Sequence, residues 1–114
     1  MDTVIEESKT TDLISIVQLD GRLDAASVNK GKNELIGTFI DHEKHIVLNL
    51  REVTFIDSTG LGMLVSLHKL QVEQGQHMVL CEVSDQVRLL LELTRLNLVF
   101  DIYDKQTSAL KSFG

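Results

Sequence analysis

Proline and tryptophan are absent from this chain of 114 residues, and cysteine occurs only once. A single thiol rules out a disulfide within the chain. Cys81 lies in the apolar run Val79-Leu80-Cys81, so a buried, reduced side chain is expected there rather than a reactive one. Without proline, breaks between elements must be marked by Gly and by polar pairs such as Asp20-Gly21. Positive charge is also scarce: 11 Lys and Arg stand against 17 Asp and Glu, a formal net charge of −6. No basic cluster overrides that balance, which argues against direct contact with nucleic acid. No apolar run reaches the ~18 residues that a membrane span needs. The segment Met1-Asp2-Thr3-Val4-Ile5-Glu6-Glu7 lacks the basic and apolar regions of a signal peptide, so a cytoplasmic protein is expected. No Gly/Ser-rich linker, low-complexity tract or internal repeat divides the chain, and its length suits a single domain, residues 1–114.

What is present alternates between two periodicities. Val4 to Ser8 and Leu13 to Leu19 read as strands joined through the polar Lys9-Thr10-Thr11-Asp12, an expected hairpin. Asp20-Gly21 is a turn pair, after which Arg22-Leu23 continues the strand beyond a bulge. Asp24 to Ser27 supplies capping residues, and Val28, Leu35, Ile36 and Phe39 share a face of a helix over 27–40. Asp41 to Lys44 reads as a polar loop. The run Ile46-Val47-Leu48-Asn49-Leu50 is nearly all apolar, as in a strand covered on both faces. A second helix runs from Leu61 to Glu73 and ends at Gly75. Its apolar side is expected to hold Leu61, Leu64, Val65, His68 and Val72, widened by Met63, Leu67 and Leu70. Gly62, Ser66, Lys69 and Glu73 are left as its polar strip. His77 to Glu82 is a further strand. Ser84-Asp85 starts a third helix buried through Val87, Leu90, Leu91 and Thr94. Leu98 to Tyr103 reads as a last strand and Thr107 to Phe113 as a closing helix with Leu110 and Phe113 turned inward. The order ββαβαβαβα implies an α/β domain with a mixed, mostly parallel sheet and an antiparallel edge hairpin.

Between the central strand and the second helix stands Asp57-Ser58-Thr59-Gly60. An acid, two hydroxyls and a glycine at a helix start place a hydroxyl where backbone N–H groups point outward, a setting that favours a phosphate. A serine hydrolase would need Gly-x-Ser-x-Gly, but Ile56 stands two residues before Ser58. Gly60-Leu61-Gly62 offers only a Gly-x-Gly and no Walker lysine, so a nucleotide loop is a weak alternative; the glycines also serve simply to bring helix and strand close. His42, His45, His68 and His77 have no carboxylate or thiolate at ligand spacing, and no metal or other cofactor is expected. Asp57 is read first as a helix cap, a role compatible with one in recognition.

The segment His45-Ile-Val-Leu-Asn-Leu50, a short loop, and then Phe55-Ile-Asp-Ser-Thr-Gly-Leu-Gly-Met63 resembles the centre of STAS domains, specifically the bacterial anti-sigma-factor antagonists. Gly21-Arg22-Leu23-Asp24 is similar to that family's element before the first helix, and Met78-Val-Leu-Cys81 to its fourth strand. The resemblance implies a non-enzymatic partner switch. The unphosphorylated antagonist binds an anti-sigma factor that is also a serine kinase and so frees a sigma factor. Phosphorylation of the motif serine separates the pair, and a serine phosphatase resets it. By position, Ser58 is the acceptor in preference to Thr59, and Asp24, Asp57, Ser58, Thr59, Gly60, Leu61 and Gly62 form the partner-binding set. Arg22 stands where the family often has Glu, which reverses a charge beside the site. A monomer or weak homodimer is expected for the free chain. The other readings are a STAS scaffold or subunit of a transport or sensing complex that is not phosphorylated, and a small nucleotide-binding domain.

Overall fold

A computed structural model describes residues 2–7, 13–42 and 44–113. The elements are β1 (Asp2–Glu7), β2 (Ile14–Leu23), α1 (Ala25–His42), β3 (His45–Ile56), α2 (Ser58–Glu73), β4 (Met78–Cys81), α3 (Asp85–Leu93), a 3-10 turn (Leu96–Leu98), β5 (Asp101–Tyr103) and α4 (Gln106–Lys111). They build one sheet in the order β1-β2-β3-β4-β5, antiparallel between β1 and β2 and parallel across the remaining pairs. The expected element order and sheet type are those observed. The turn proposed at Lys9 to Asp12 lies outside the described residues.

From β2 onward each crossover steps to the next strand in the same direction. Right-handed connections therefore bring α1, α2 and α3 to one face of the sheet. Alternation along the strands divides the core accordingly. Val17, Leu19, Ile46, Leu48, Leu50, Met78 and Leu80 face Val28, Leu35 and Phe39 of α1, Leu61, Leu64 and Leu67 of α2, and Val87 and Leu91 of α3. Ile14, Ile16, Val47, Val79 and Cys81 face the other way, onto Ala109, Leu110 and Phe113 of the closing segment. That two-sided burial is why the central strand reads as an unbroken apolar run. It also pushes the Cys81 thiol up to about 12, with the neighbouring Glu82 carboxylate adding to the effect.

Several expected boundaries are corrected. The strand expected to stop at Leu50 runs six residues further, to Ile56. Its extension carries buried Val53 and Ile56 between exposed Arg51, Glu52, Thr54 and Phe55. The pairing with β2 explains this: Gln18 faces Asn49 but Asp20 faces Glu52, and Gly21 faces Val53 but Arg22 faces Phe55. Each step inserts an extra residue on β3, a bulge that breaks the alternation from which a strand is read. α1 continues through His42, so the polar loop expected from Asp41 is shorter. The last strand begins at Asp101 because Leu96–Leu98 form a 3-10 turn, and Leu98 is 77% exposed.

The apolar side of α2 is also rotated from expectation. Val65 and Val72 point outward, whereas Gln71 is fully buried. Gln71 Nε2 donates to the carbonyls of Lys44 at 2.8 Å and His77 at 3.2 Å, and its Oε1 accepts from Gln74 Nε2 at 3.0 Å. A polar side chain is admitted to this core because it satisfies the backbone at the entrances to β3 and β4. Thr94 is exposed rather than buried, its hydroxyl donating to the Leu90 carbonyl at 2.8 Å.

Candidate functional site

The C-terminal ends of β2 and β3 lie side by side, and each feeds a helix directly. Asp24 precedes α1 and Asp57 precedes α2. Asp57 caps α2 through Oδ1, which accepts from the N–H of Gly60 at 2.9 Å. Its Oδ2 accepts from the N–H of Ala25, at the start of α1, at 3.2 Å. One carboxylate thus joins two helix N-termini, where both the free N–H groups and the dipoles favour negative charge. Asp24 is tied in the same way: its Oδ1 accepts from the N–H of Ser27 at 3.0 Å and its Oδ2 from Arg22 Nε at 3.0 Å. The backbone bond from Ser27, aided by Arg22, lowers the Asp24 pKa to about 2.

Close approach of these elements depends on Gly60. A Cβ there would run into the Leu23 carbonyl and stand 2.8 Å from both Ile56 Cγ1 and Leu23 Cβ. The Asp57 N–H meanwhile donates to that same Leu23 carbonyl at 3.2 Å. Two residues on, Gly62 has open space around it. The two motif glycines therefore differ in kind.

Ser58 and Thr59 occupy the first two positions of α2 and are exposed, as is Gly62. No hydrogen bond holds the Ser58 hydroxyl among the described residues. Gly60 and Leu61 face inward. Of the seven residues expected at a docking face, three are therefore exposed (Ser58, Thr59 and Gly62), two are half-buried caps (Asp24 and Asp57), and two lie beneath the surface (Gly60 and Leu61). The structure brings all seven to one edge of the domain.

Sequence reading noted the charge of Arg22 beside the site but gave no role to Phe55 or to the surface beyond it. Phe55 is 40% exposed, and the Arg22 guanidinium lies 4.2 Å above its ring centroid. Beyond Phe55, an apolar cleft of about 290 Å³ opens between the end of β3 and α3, lined by Ile56, Val87, Leu89, Leu90 and Leu93 among others. Leu89 and Leu93 are 55% and 72% exposed. Their helical spacing is visible in sequence, but only the bulged end of β3 shows that Phe55 joins them.

His45, His68 and His77 take part in packing. His45 stacks on Phe113 at 4.8 Å and on His77 at 5.4 Å, and its Nδ1 accepts from the His77 N–H at 3.0 Å. His68 meets Phe100 edge-on at 5.4 Å. Among the described residues no three His, Cys, Asp or Glu side chains gather as a metal site would need, and no helix is long and apolar enough to cross a membrane.

The family model described as the STAS domain matches residues 7–109. An anti-sigma F factor antagonist of Paenibacillus polymyxa is 33% identical over 98 residues, covering 85% of this chain and 84% of that protein. An anti-sigma-B factor antagonist of Staphylococcus aureus is 32% identical over 90 residues, covering 79% of this chain and 83% of that protein. A solved structure from Thermotoga maritima superposes with a TM-score of 0.82 at 27% identity, covering 91% of this chain and 90% of that one.

Proposed function

This chain belongs to the STAS domain family, and from that premise we propose that it is an anti-sigma-factor antagonist switched by phosphorylation of Ser58. In this reading the unphosphorylated protein occupies an anti-sigma factor that is also a serine kinase, and so releases a sigma factor. Phosphorylation ends the contact, and a serine phosphatase restores it. The protein acts by binding and is itself the substrate of its partners' chemistry.

The observation that carries the reading is the exposed Ser58 at the first position of α2, its hydroxyl without a hydrogen bond among the described residues, beside an Asp57 held by two helix N-termini. A kinase can reach that hydroxyl without unfolding anything. The added group brings about −1.5 to −2 charges. At a helix N-terminus that charge is neutral or stabilising for the domain itself. The switch therefore works at the docked surface, by repulsion and lost packing. Like charges ~4 Å apart at a surface-like dielectric repel by about 4 kcal/mol, and half of that weakens binding more than tenfold. The apolar cleft bordered by Phe55, Leu89 and Leu93 supports the same reading, because it supplies adjoining surface for a protein partner.

The test is to incubate the chain with the anti-sigma-factor kinase of its own host and ATP, and to map the phosphosite by mass spectrometry. The expected result is label on Ser58. Label on Thr59 alone, or none, overturns the assignment. In parallel, Ser58→Glu is expected to weaken the complex at least tenfold while leaving the thermal midpoint within ~2 °C of wild type, since a surface substitution changes stability little.

A further inference from the structure

Arg22 is positioned but largely unengaged. Its side chain is 59% exposed, its Nε–H donates to Asp24, and its guanidinium rests on the Phe55 ring. A guanidinium carries five N–H donors in a planar fork. Among the described residues only the one on Nε has a hydrogen-bond partner. The two contacts thus hold the fork in place and leave its terminal nitrogens free. Such a fork matches phosphate oxygens in both charge and geometry.

The sheet register brings it to the right place. Arg22 pairs with Phe55 and Leu23 with Ile56, and the Leu23 carbonyl accepts from the N–H of Asp57. Arg22 therefore stands at the end of β2, opposite the end of β3 across the ~4.8 Å spacing of paired strands, and Ser58 follows two residues after β3 ends. Both side chains are exposed at the same edge. Asp24 and Asp57 stand at the same strand ends, and their carboxylates already accept from the N–H groups of Ser27, Gly60 and Ala25.

We propose that Arg22 is the internal receptor for the phosphate on Ser58, its terminal N–H groups taking the phosphate oxygens while Nε–H stays on Asp24. The inference rests on the reading of Ser58 as the acceptor. It adds a second state to the switch, in which the phosphate is folded onto the domain's own surface and partly neutralised. Without that contact the phosphate would rely on the helix terminus alone, next to two carboxylates.

The test uses the full chain with phosphoserine incorporated at position 58 during translation, so that no kinase is needed. Phosphorus NMR titration reads the second ionisation of the phosphate, ordinarily near 6. In the wild-type background it is expected below that value. Arg22→Gln is expected to raise it by about half a unit or more, as removal of a unit charge at ~5 Å in a water-like dielectric requires. Arg22→Glu should raise it further. Arg51→Gln serves as the control for net charge, because Arg51 lies further back on β3 against Glu52. An ionisation that Arg22→Gln leaves unchanged, or that Arg51→Gln moves equally, overturns the proposal. Neither result bears on whether the kinase chooses Ser58, which the phosphosite mapping decides separately.

Discussion

Alanine at Gly60 and alanine at Gly62 should move stability in opposite directions. Both positions lie within α2, where exchanging Gly for Ala in a helix interior is intrinsically worth up to ~1 kcal/mol. At Gly62 nothing opposes that gain, because an added Cβ meets open space. The expected effect is about +0.5 to +1 kcal/mol, helped by the reduced freedom of the unfolded chain. At Gly60 the same methyl collides with the Leu23 carbonyl, the Leu23 Cβ and Ile56 Cγ1. A backbone carbonyl in a sheet cannot swing aside as a flexible side chain can, so the start of α2 has to lift away from β2. That displacement strains the hydrogen bonds from the Asp57 N–H to Leu23 and from the Gly60 N–H to Asp57. Overpacking of this kind costs about 1–3 kcal/mol or more. Set against the propensity gain and added to the weakened bonds, the net loss is about 2–3 kcal/mol. For 114 residues the unfolding entropy is roughly 0.24 kcal/mol per degree. Gly60→Ala should therefore lower the thermal midpoint by about 8–12 °C and Gly62→Ala raise it by about 2–4 °C. Paired calorimetric or circular dichroism melts measure both. Shifts of the same sign in the two variants would refute the argument that Gly60 is required by contact and Gly62 is not.

Asp57→Ala removes the acceptor shared by Gly60 and Ala25 and should cost about 1–2 kcal/mol, read as a lower urea midpoint with an unchanged slope. Gln71→Leu keeps the volume of a fully buried side chain but strands the carbonyl of Lys44, while that of His77 keeps the Ile46 N–H, so a loss of about 1–3 kcal/mol is expected in the same assay. Asp24 contributes acid sensitivity. Its folded pKa of about 2 lies below the ordinary 3.8, so its stabilisation is complete above about pH 4 and is lost as pH falls toward 2. Asp24→Asn should flatten that limb of the stability curve, as measured by urea melts between about pH 2 and 5.

Much of this architecture can be read without coordinates, because hydrophobic periodicity is a local property. A helix over 27–40 and a central strand from Ile46 to Leu50 follow from spacing alone, and Ser84 caps α3 as its residue type suggests. The misread positions are those whose environment another segment sets. Gln71 is buried because the distant Lys44 carbonyl needs a donor, and the His77 carbonyl takes a second one beside the Ile46 N–H. Val72, one residue on, is exposed because α2 packs with a rotation that its own nearly all-apolar pattern leaves open. Strand β3 was expected to end six residues early because its bulges face β2, and bulges belong to a pair of strands.

The candidate site divides along the same line. The motif Asp57-Ser58-Thr59-Gly60, its place between strand and helix, and its likeness to the STAS family are properties of the linear chain. So is the capping tendency of Asp57, since an acid before a helix start needs only its own N–H groups. That Asp57 also ties down α1, that Gly60 sits against Leu23, and that Arg22 lies on Phe55 required the fold. These contacts join residues some thirty or more positions apart. Their distances are set by the register of β2 against β3, a collective outcome of core packing that no single stretch of sequence specifies.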